Sequence, residues 1–502
     1  MNLQAISITG AALIALTLST ATYSNDYSNG REHLAPPLLL ENSDHQNDHW
    51  QGIGRLIINA DYPDAHCTAS LIDSRNGDHE TTGPAYVLTS GHCISPDSLN
   101  VLADEPSDGY IDFNYFHDTP DHHQRVAVKQ VNWSRQRGLD MAIVELDISL
   151  QSLMETGIKP LSLSTAAPAI GDPLLIVGAP SQYPENGLRL STCSHVSTED
   201  LVEQPAVFRG FYKDNCAGLK PGHSGSPLLD HMTNTVLGVV STTTSDSLVE
   251  NRCSYNAPCE VRDGQAHWSA QSNYSSPVSF LHHCFVQGQF TALAPGCDLM
   301  PTVALTEDRP TVNYYRRVKH DAEGNEVLPT WKFQFSLDTP FYRYKTVRDP
   351  LLCESPEHYS EALAAQQVLI NDPVGREPGI YLLCIVGVDS AGQSPTLAMM
   401  KSPLVLAKEI AEPGPTRAPQ FVIDKQEDGA YSIAWHFSHP VLSGYEARIG
   451  APDTLDCDEP EGYVRQLDDL RINASELPAK LCTKAIDMSG QRSTPRTDLL
   501  GD

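Results

Sequence analysis

A serine can attack an acyl carbon at neutral pH only when a base takes its proton and a carboxylate holds that base in the right tautomer. Three segments of this 502-residue chain offer those parts. The nucleophile candidate is Ser224 in "GLKPGHSGSPLLD", Gly218 to Asp230. The base candidate is His92, which ends the strand-like "YVLTSGHC", and the carboxylate candidate is Asp140, which opens "DMAIVELD". Taken singly, each has a plainer reading. Ser224 could be a turn residue, His92 is one of 19 histidines, and Asp140 could cap a strand. Position 226 is Ser rather than Gly, so the stretch is not the GxSxG elbow of another hydrolase class. The triad reading rests on their joint occurrence.

The elements that must bring these side chains together look all-β. From Trp50 to about Cys297, short apolar runs such as "GRLIIN", "AYVLTS", "MAIVEL", "PLLIVGAP" and "TVLGVVST" alternate with Gly, Pro, Asn and Asp clusters. That rhythm predicts many short strands closed into barrels or sandwiches. The last two hundred residues repeat: "WKFQFS" from Trp331 aligns with "IAWHFS" from Ile433, and "CIVGVDSAGQS" with "CTKAIDMSGQR". In both copies an Asp follows the cysteine by five residues and a Gly by eight, as expected of a strand ending in a hairpin turn. Two tandem β-sandwich modules, 301–410 and 411–502, are therefore expected, joined by the proline-rich "EPGPTRAPQ". Residues 1–24 have the outline of a secretory signal, with an apolar run from Ile6 to Leu18 and small residues after it. Residues 25–48 are polar and patternless, a linker or pro-segment, and 49–300 form the expected catalytic domain.

The twelve cysteines fall in close sequential pairs: Cys67 and Cys93, Cys193 and Cys216, Cys253 and Cys259, Cys284 and Cys297, Cys353 and Cys384, Cys457 and Cys482. Many pairings are formally open, and neighbour pairing is the simplest. None has the spacing of a zinc site, so an oxidising location is expected, extracellular or periplasmic. Asp and Glu number 63 against 34 Lys and Arg, which speaks against nucleic acid or an anionic membrane as partner. No segment after the signal is long and apolar enough to span a bilayer. "DSRNGDHE" lacks the acid spacing of a calcium loop and "HDTPDHH" lacks zincin spacing, so both read as polar loops. No metal or cofactor is expected.

Five motifs in order, "CTASLI", "VLTSGHC", "DMAIVEL", "GHSGSP" and "LGVVS", resemble the trypsin and chymotrypsin family, and the "GHSGSP" stretch is closest to its bacterial secreted members. The resemblance spans roughly residues 50–290. It implies two six-stranded antiparallel barrels with the site in the cleft between them, so the expected fold is a chymotrypsin-like double β-barrel followed by two β-sandwich modules. It also implies His92 as general base, Asp140 as its orienting partner, Ser224 as nucleophile, and the N–H groups of Gly222 and Ser224 as oxyanion hole. A Cys67–Cys93 bridge would tie His92 to the barrel wall. The strand ending at Ser241 would pair with extended substrate, and Gly218, Leu219, Thr242 and Thr243 would line the specificity pocket. Two departures stand out. His223 replaces the Asp that in the family binds a newly cut N-terminus, and Gly218 stands where trypsin-like members carry a pocket acid.

The function expected is a secreted serine endopeptidase acting on proteins or peptides through an acyl-enzyme. The competing expectation is a non-catalytic binding protein that uses the same scaffold. In either case the tandem modules are expected to dock to a surface, a matrix or a bulky substrate.

Overall fold

The computed structural model of the protein describes residues 26–75, 83–95, 101–204, 206–299, 305–307, 315–366, 368–401, 403–413, 416–419, 421–435 and 442–501. The expected signal segment lies outside these.

Strands that bury one face alternate apolar and polar residues, whereas strands that bury both read as continuous apolar runs. The latter explains the central strands here. Six of them close the first barrel: β1 (Ile53–Ile57), β2 (Cys67–Leu71), β3 (Pro84–Thr89), β4 (Tyr110–Phe113), β5 (Gln124–Arg135) and β6 (Met141–Ser149). They pair antiparallel around the ring in the order β1-β2-β3-β6-β5-β4 and back to β1. The second barrel repeats that order with β7 (Pro173–Gly178), β8 (Arg189–Glu203), β9 (Ala206–Asp214), β10 (Pro227–Asp230), β11 (Val236–Thr243) and β12 (Asn273–Pro277). The chain is thus all-β, built on a chymotrypsin-like pair of six-stranded barrels with further β modules behind them.

Successive side chains of one strand serve different cores. On β7, Leu174 and Ile176 point into the second barrel while Leu175 and Val177 enter the layer between the barrels. On β6, Ala142 and Val144 fill the first barrel and Met141 and Ile143 face that same layer. Each such fully buried aliphatic side chain contributes about 1.5–3 kcal/mol. The barrels are therefore welded along the face that carries the cleft, which fixes what sits at its rim. Residues 26–48 run along the second barrel: Leu38 pairs with Leu190, and Leu40 is buried in the inter-barrel core.

All twelve cysteines form six disulfides, each between sequence neighbours.

Behind the barrels lie two sandwiches. In the first, strands Phe341–Val347, Gly379–Val388 and Leu404–Ile410 form neighbouring members of one sheet, packed on Phe333–Leu337 and Val368–Ile370. In the second, Leu442–Gly450, Ala479–Asp487 and Arg496–Leu500 take the same places. Cys353–Cys384 and Cys457–Cys482 each pin a loop to the middle strand, so the sequence repeat is a repeat of topology. Asp487, fully buried, closes its hairpin by accepting the N–H of Ser489 and Gln491 at 2.8 and 2.9 Å, and also accepts Arg317 Nε at 2.7 Å from the first sandwich.

The first sandwich is not held apart from the barrels. Val202, Val207 and the Cys253–Cys259 disulfide share one buried cluster with Ile380, Leu382 and Val405. Arg209 reaches Glu354 at 2.9 Å and Arg252 reaches Glu409 at 3.0 Å across the same junction.

Candidate active site

His92 lies on a single 3-10 turn, Gly91–Cys93, at the end of β3. Two bonds fix that turn: Ser90 Oγ donates to Val240 O of the second barrel at 2.7 Å, and the Cys67–Cys93 disulfide ties it to β2. Asp140 lies in the loop before β6, with a left-handed backbone (φ +42°), a conformation that Asp tolerates better than most residues. Its N–H donates to Gln136 O at 2.9 Å, and Gly138 of the same loop exchanges backbone bonds with Val207 and Arg209 of the second barrel. The loop is set by both barrels at once.

The two side chains meet. His92 Nδ1–H donates to Asp140 Oδ2 at 2.8 Å and the His92 backbone N–H donates to Oδ1, also at 2.8 Å. Asp140 is 1% exposed. Burial pushes the His92 ring down, but the Asp140 charge and hydrogen bond, with a smaller contribution from Glu203, outweigh it, and the net shift is upward from 6.5. With Nδ1 committed to the carboxylate, Nε2 is the nitrogen left to accept a proton.

Ser224 sits on a turn stitched to both barrels. Its carbonyl accepts Thr68 N–H at 2.8 Å, and the next N–H, of Gly225, donates to Val240 O at 2.8 Å. At Gly225 (φ +83°) an added Cβ would come within 2.1 Å of Thr68 O; at Gly222 (φ +96°) it would meet Ala179 O at 2.8 Å. Glycine is therefore required on both sides of the serine by close backbone approach as well as by torsion. Among the described residues neither the Gly222 nor the Ser224 N–H has a hydrogen-bond partner. No hydrogen bond joins Ser224 Oγ to the His92 ring; such nucleophile–base contacts often tighten only with substrate bound.

One cavity of about 520 Å³ collects these groups. His92, Asp140, Gly222 and Ser224 line it, together with Leu219, Ser241, Thr242 and Thr243 from the expected pocket walls. Gly218 is the exception. It does not line the cavity and instead lies beneath Pro37 and Tyr183, whose hydroxyl donates to Gly218 O at 2.8 Å. The strap of residues 26–48 supplies Pro37, and nothing in the "GLKPGHSGSP" motif announces it.

Two further groups, Glu203 and His66, were not singled out by the sequence, and Ser241, expected only beside the substrate, makes a second contact. Ser241 Oγ donates to Asp140 Oδ2 at 2.5 Å, so this residue touches the carboxylate besides lining the cavity. Glu203, at the end of β8 and only 7% exposed, lines the cavity; its Oε1 accepts the Asn256 N–H at 2.7 Å and its Oε2 is buried without a partner among the described residues. Burial pushes its carboxyl up to about 7. His66 also lines the cavity, with Nε2 on Ala179 O at 3.0 Å.

His223 is buried, and that burial pushes its ring down to about 4. Its Nδ1 accepts the Lys220 N–H at 3.0 Å, so a neutral ring braces the turn. Among the described residues two clusters are dense in metal-ligating atoms, Cys67–His92–Cys93 and Cys193–Asp214–Cys216. Each contains a disulfide, which removes the thiolates a soft metal would need.

Residues 67–239 match the family model of the trypsin-like peptidase domain. Solved structures similar to this chain include a serine endoprotease from Yersinia pestis (11% identity, 48% of this chain and 64% of that one, TM-score 0.29). Others are human heparin binding protein (13%, 50% and 93%, 0.31) and neuropsin, a serine protease of mouse brain (14%, 47% and 92%, 0.29). No curated protein sequence matches this chain significantly.

Proposed function

We propose that this protein is a serine endopeptidase that hydrolyses peptide bonds through an acyl-enzyme. The observation that carries the reading is the His92 Nδ1 to Asp140 bond in the same cavity as Ser224. Ser224 Oγ attacks the scissile carbonyl as His92 Nε2 takes its proton, and the Asp140 carboxylate stabilises the imidazolium that forms. Negative charge then develops on the carbonyl oxygen, where the unpaired N–H groups of Gly222 and Ser224 receive it; a preorganised donor of this kind is worth roughly 3–4 kcal/mol. His92 returns the proton to the leaving amine, and water repeats the sequence on the ester.

The substrate lies as an extended peptide along the end of β11, with its side chain beside Leu219, Thr242 and Thr243. Six disulfides favour an oxidising compartment outside the cytoplasm, residues 1–24 serving as the export signal. Residues 49–300 form the catalytic unit, and the modules at 301–410 and 411–502 meet a surface, a matrix or a large substrate. Labelling with a phosphonofluoridate tests the reading: Ser224 takes the label in the native chain, and Ser224→Ala abolishes peptide cleavage. A folded Ser224→Ala variant that cleaves peptides at the native rate would rule it out. A native chain that neither takes the label nor cuts any peptide would instead be a binding protein on a peptidase scaffold.

A further inference from the structure

The loop between β11 and the strand Cys259–Arg262 has two faces with different company. Its inner face gives Asp246, Ser247, Tyr255 and Asn256 to the wall of the cavity. Its outer face gives Arg252 and the Cys253–Cys259 disulfide to the first sandwich.

The loop has little regular structure of its own to hold this shape. Residues 249–251 form one 3-10 turn, and both Cys253 and Asn256 adopt left-handed backbone (φ +66° and +58°), a conformation that asparagine tolerates and cysteine takes rarely. Short turns tie it internally: Asn251 N–H to Leu248 O at 2.9 Å, Ser254 N–H to Asn251 O at 3.1 Å, Ala257 N–H to Ser254 O at 2.9 Å, Cys253 N–H to Ala257 O at 2.7 Å, and Ser247 Oγ to Asn256 O. On the cleft side Gln204 N–H donates to Cys253 O at 3.1 Å, Asn256 N–H to Glu203 Oε1 at 2.7 Å, and Lys220 Nζ to Asp246 Oδ2 at 2.8 Å. The sandwich covers the outer face. Cys253 and Cys259, both fully buried, pack against Ile380, Leu382 and Val405, and Glu409 Oε1 accepts Arg252 at 3.0 Å. A second tether sits just beyond, where Ile380 N–H donates to Gly264 O at 2.6 Å. The loop closed by the Cys253–Cys259 disulfide, with the two cysteines 6 positions apart, touches the module on one side and gives Tyr255 and Asn256 to the substrate wall on the other.

Resting on the endopeptidase reading, we propose that the first sandwich module is part of the substrate-binding apparatus: by holding the outer face of residues 244–259 it places Tyr255, Asn256 and, through the Asn256 N–H, Glu203 in the cleft wall. Arg252 and Glu409 are positioning residues in this arrangement. The barrels alone carry the catalytic groups, and the module completes the surface that peptide side chains meet.

Charge reversal across the junction tests this in the full chain. Glu409→Arg sets two cations against each other, and Arg252→Glu with Glu409→Arg restores the pair in reverse. Three readouts are taken: amide hydrogen exchange over 244–259, hydrolysis of p-nitrophenyl acetate, which needs no extended subsites, and KM and kcat for the best-cleaved member of a quenched fluorescent decapeptide pool. Glu409→Arg should speed exchange over the loop and raise peptide KM about tenfold, the scale of coupling lost when one contact of a positioning network goes. Ester hydrolysis and peptide kcat should stay near native, and the double variant should recover both exchange and KM. If Glu409→Arg fails to fold, Arg252→Ala gives the same comparison with a milder change. The proposal is overturned if loop exchange quickens with KM unchanged, or if neither moves. A native chain that turns over neither ester nor peptide sinks the endopeptidase reading instead, and the exchange comparison still decides whether the module holds the loop.

Discussion

Ser241 Oγ donates to Asp140 Oδ2, the same carboxylate oxygen that accepts His92 Nδ1–H. One buried oxygen thus receives two donors, one from each barrel, while the other takes the His92 backbone N–H. Hydrogen bonds to charged groups are worth roughly 1.5–3 kcal/mol. Ser241→Ala should therefore lower kcat about tenfold to a hundredfold and cost about 1–3 kcal/mol of stability, since the bond it removes is buried. Steady-state kinetics on a good peptide substrate checks this, and a change confined to KM would assign Ser241 to substrate contact alone.

Asp140→Asn asks more of the site. Asparagine also tolerates the left-handed backbone at this position, so the fold should hold. Its amide can donate to Nδ1 and thereby favour the tautomer with the proton on Nε2, where a base is of no use. The expected loss in kcat is about 10⁴, with an unaltered circular dichroism spectrum.

The rate should depend on pH through His92. The ring must be neutral to take the Ser224 proton, and Asp140 together with Glu203 holds its pKa above the usual 6.5 despite burial. Activity should climb with pH and level off above that value, so the acid limb of kcat/KM should have its midpoint above 6.5. Glu203→Gln removes one of the raising charges, and the midpoint should move down. An unmoved midpoint would show that Glu203 and His92 do not sense one another.

Glu203 should also leave a mark on stability. Burial lifts its carboxyl from 4.5 to about 7, so between those values the folded chain holds a proton that the unfolded chain has released. The contribution is whole below about 4.5 and is lost as pH rises through about 7. Asp214, buried and pushed up to about 7, adds a contribution of the same sign. Urea titrations of the native chain and Glu203→Gln from pH 4 to pH 8 should show the variant losing less stability over that range, by on the order of 2–3 kcal/mol.

Removing residues 301–502 should not leave a tidy peptidase. Val202, Val207 and the Cys253–Cys259 disulfide would lose the apolar cover of Ile380, Leu382 and Val405. The truncated chain should unfold at lower temperature and aggregate more readily than the full chain. Calorimetry of the two forms side by side is the check; equal midpoints would mean the junction contributes little.

How much of this could be read from residues alone differs from one part to another. His92, Asp140 and Ser224 were legible because each closes or opens a strand in a short motif, and the barrel order brings those ends to one rim. The tandem modules were legible because Cys384 and Cys482 precede the same Asp and Gly spacing, and the hairpin at Asp487 has the bonding that spacing implies. Glu203 was not legible, since a carboxylate at a strand end is ordinary until Asn256, more than fifty residues later, folds over it. Nor was the junction with the first module, because Val202 and Val405 look like any core residue and a sequence does not say which core. Gly218 was assigned to the pocket by its distance from Ser224, but Pro37 comes from a stretch with no pattern to predict its path.

The central claim is that the Ser224 hydroxyl is activated by the His92–Asp140 pair. The most direct measurement is phosphonofluoridate labelling followed by peptide mapping of the native chain and of His92→Ala. One label per chain on Ser224 in the native protein, at least a thousandfold slower in the variant, is the predicted result. Labelling of Ser224 at equal rates in both, or a label on another residue, would contradict it.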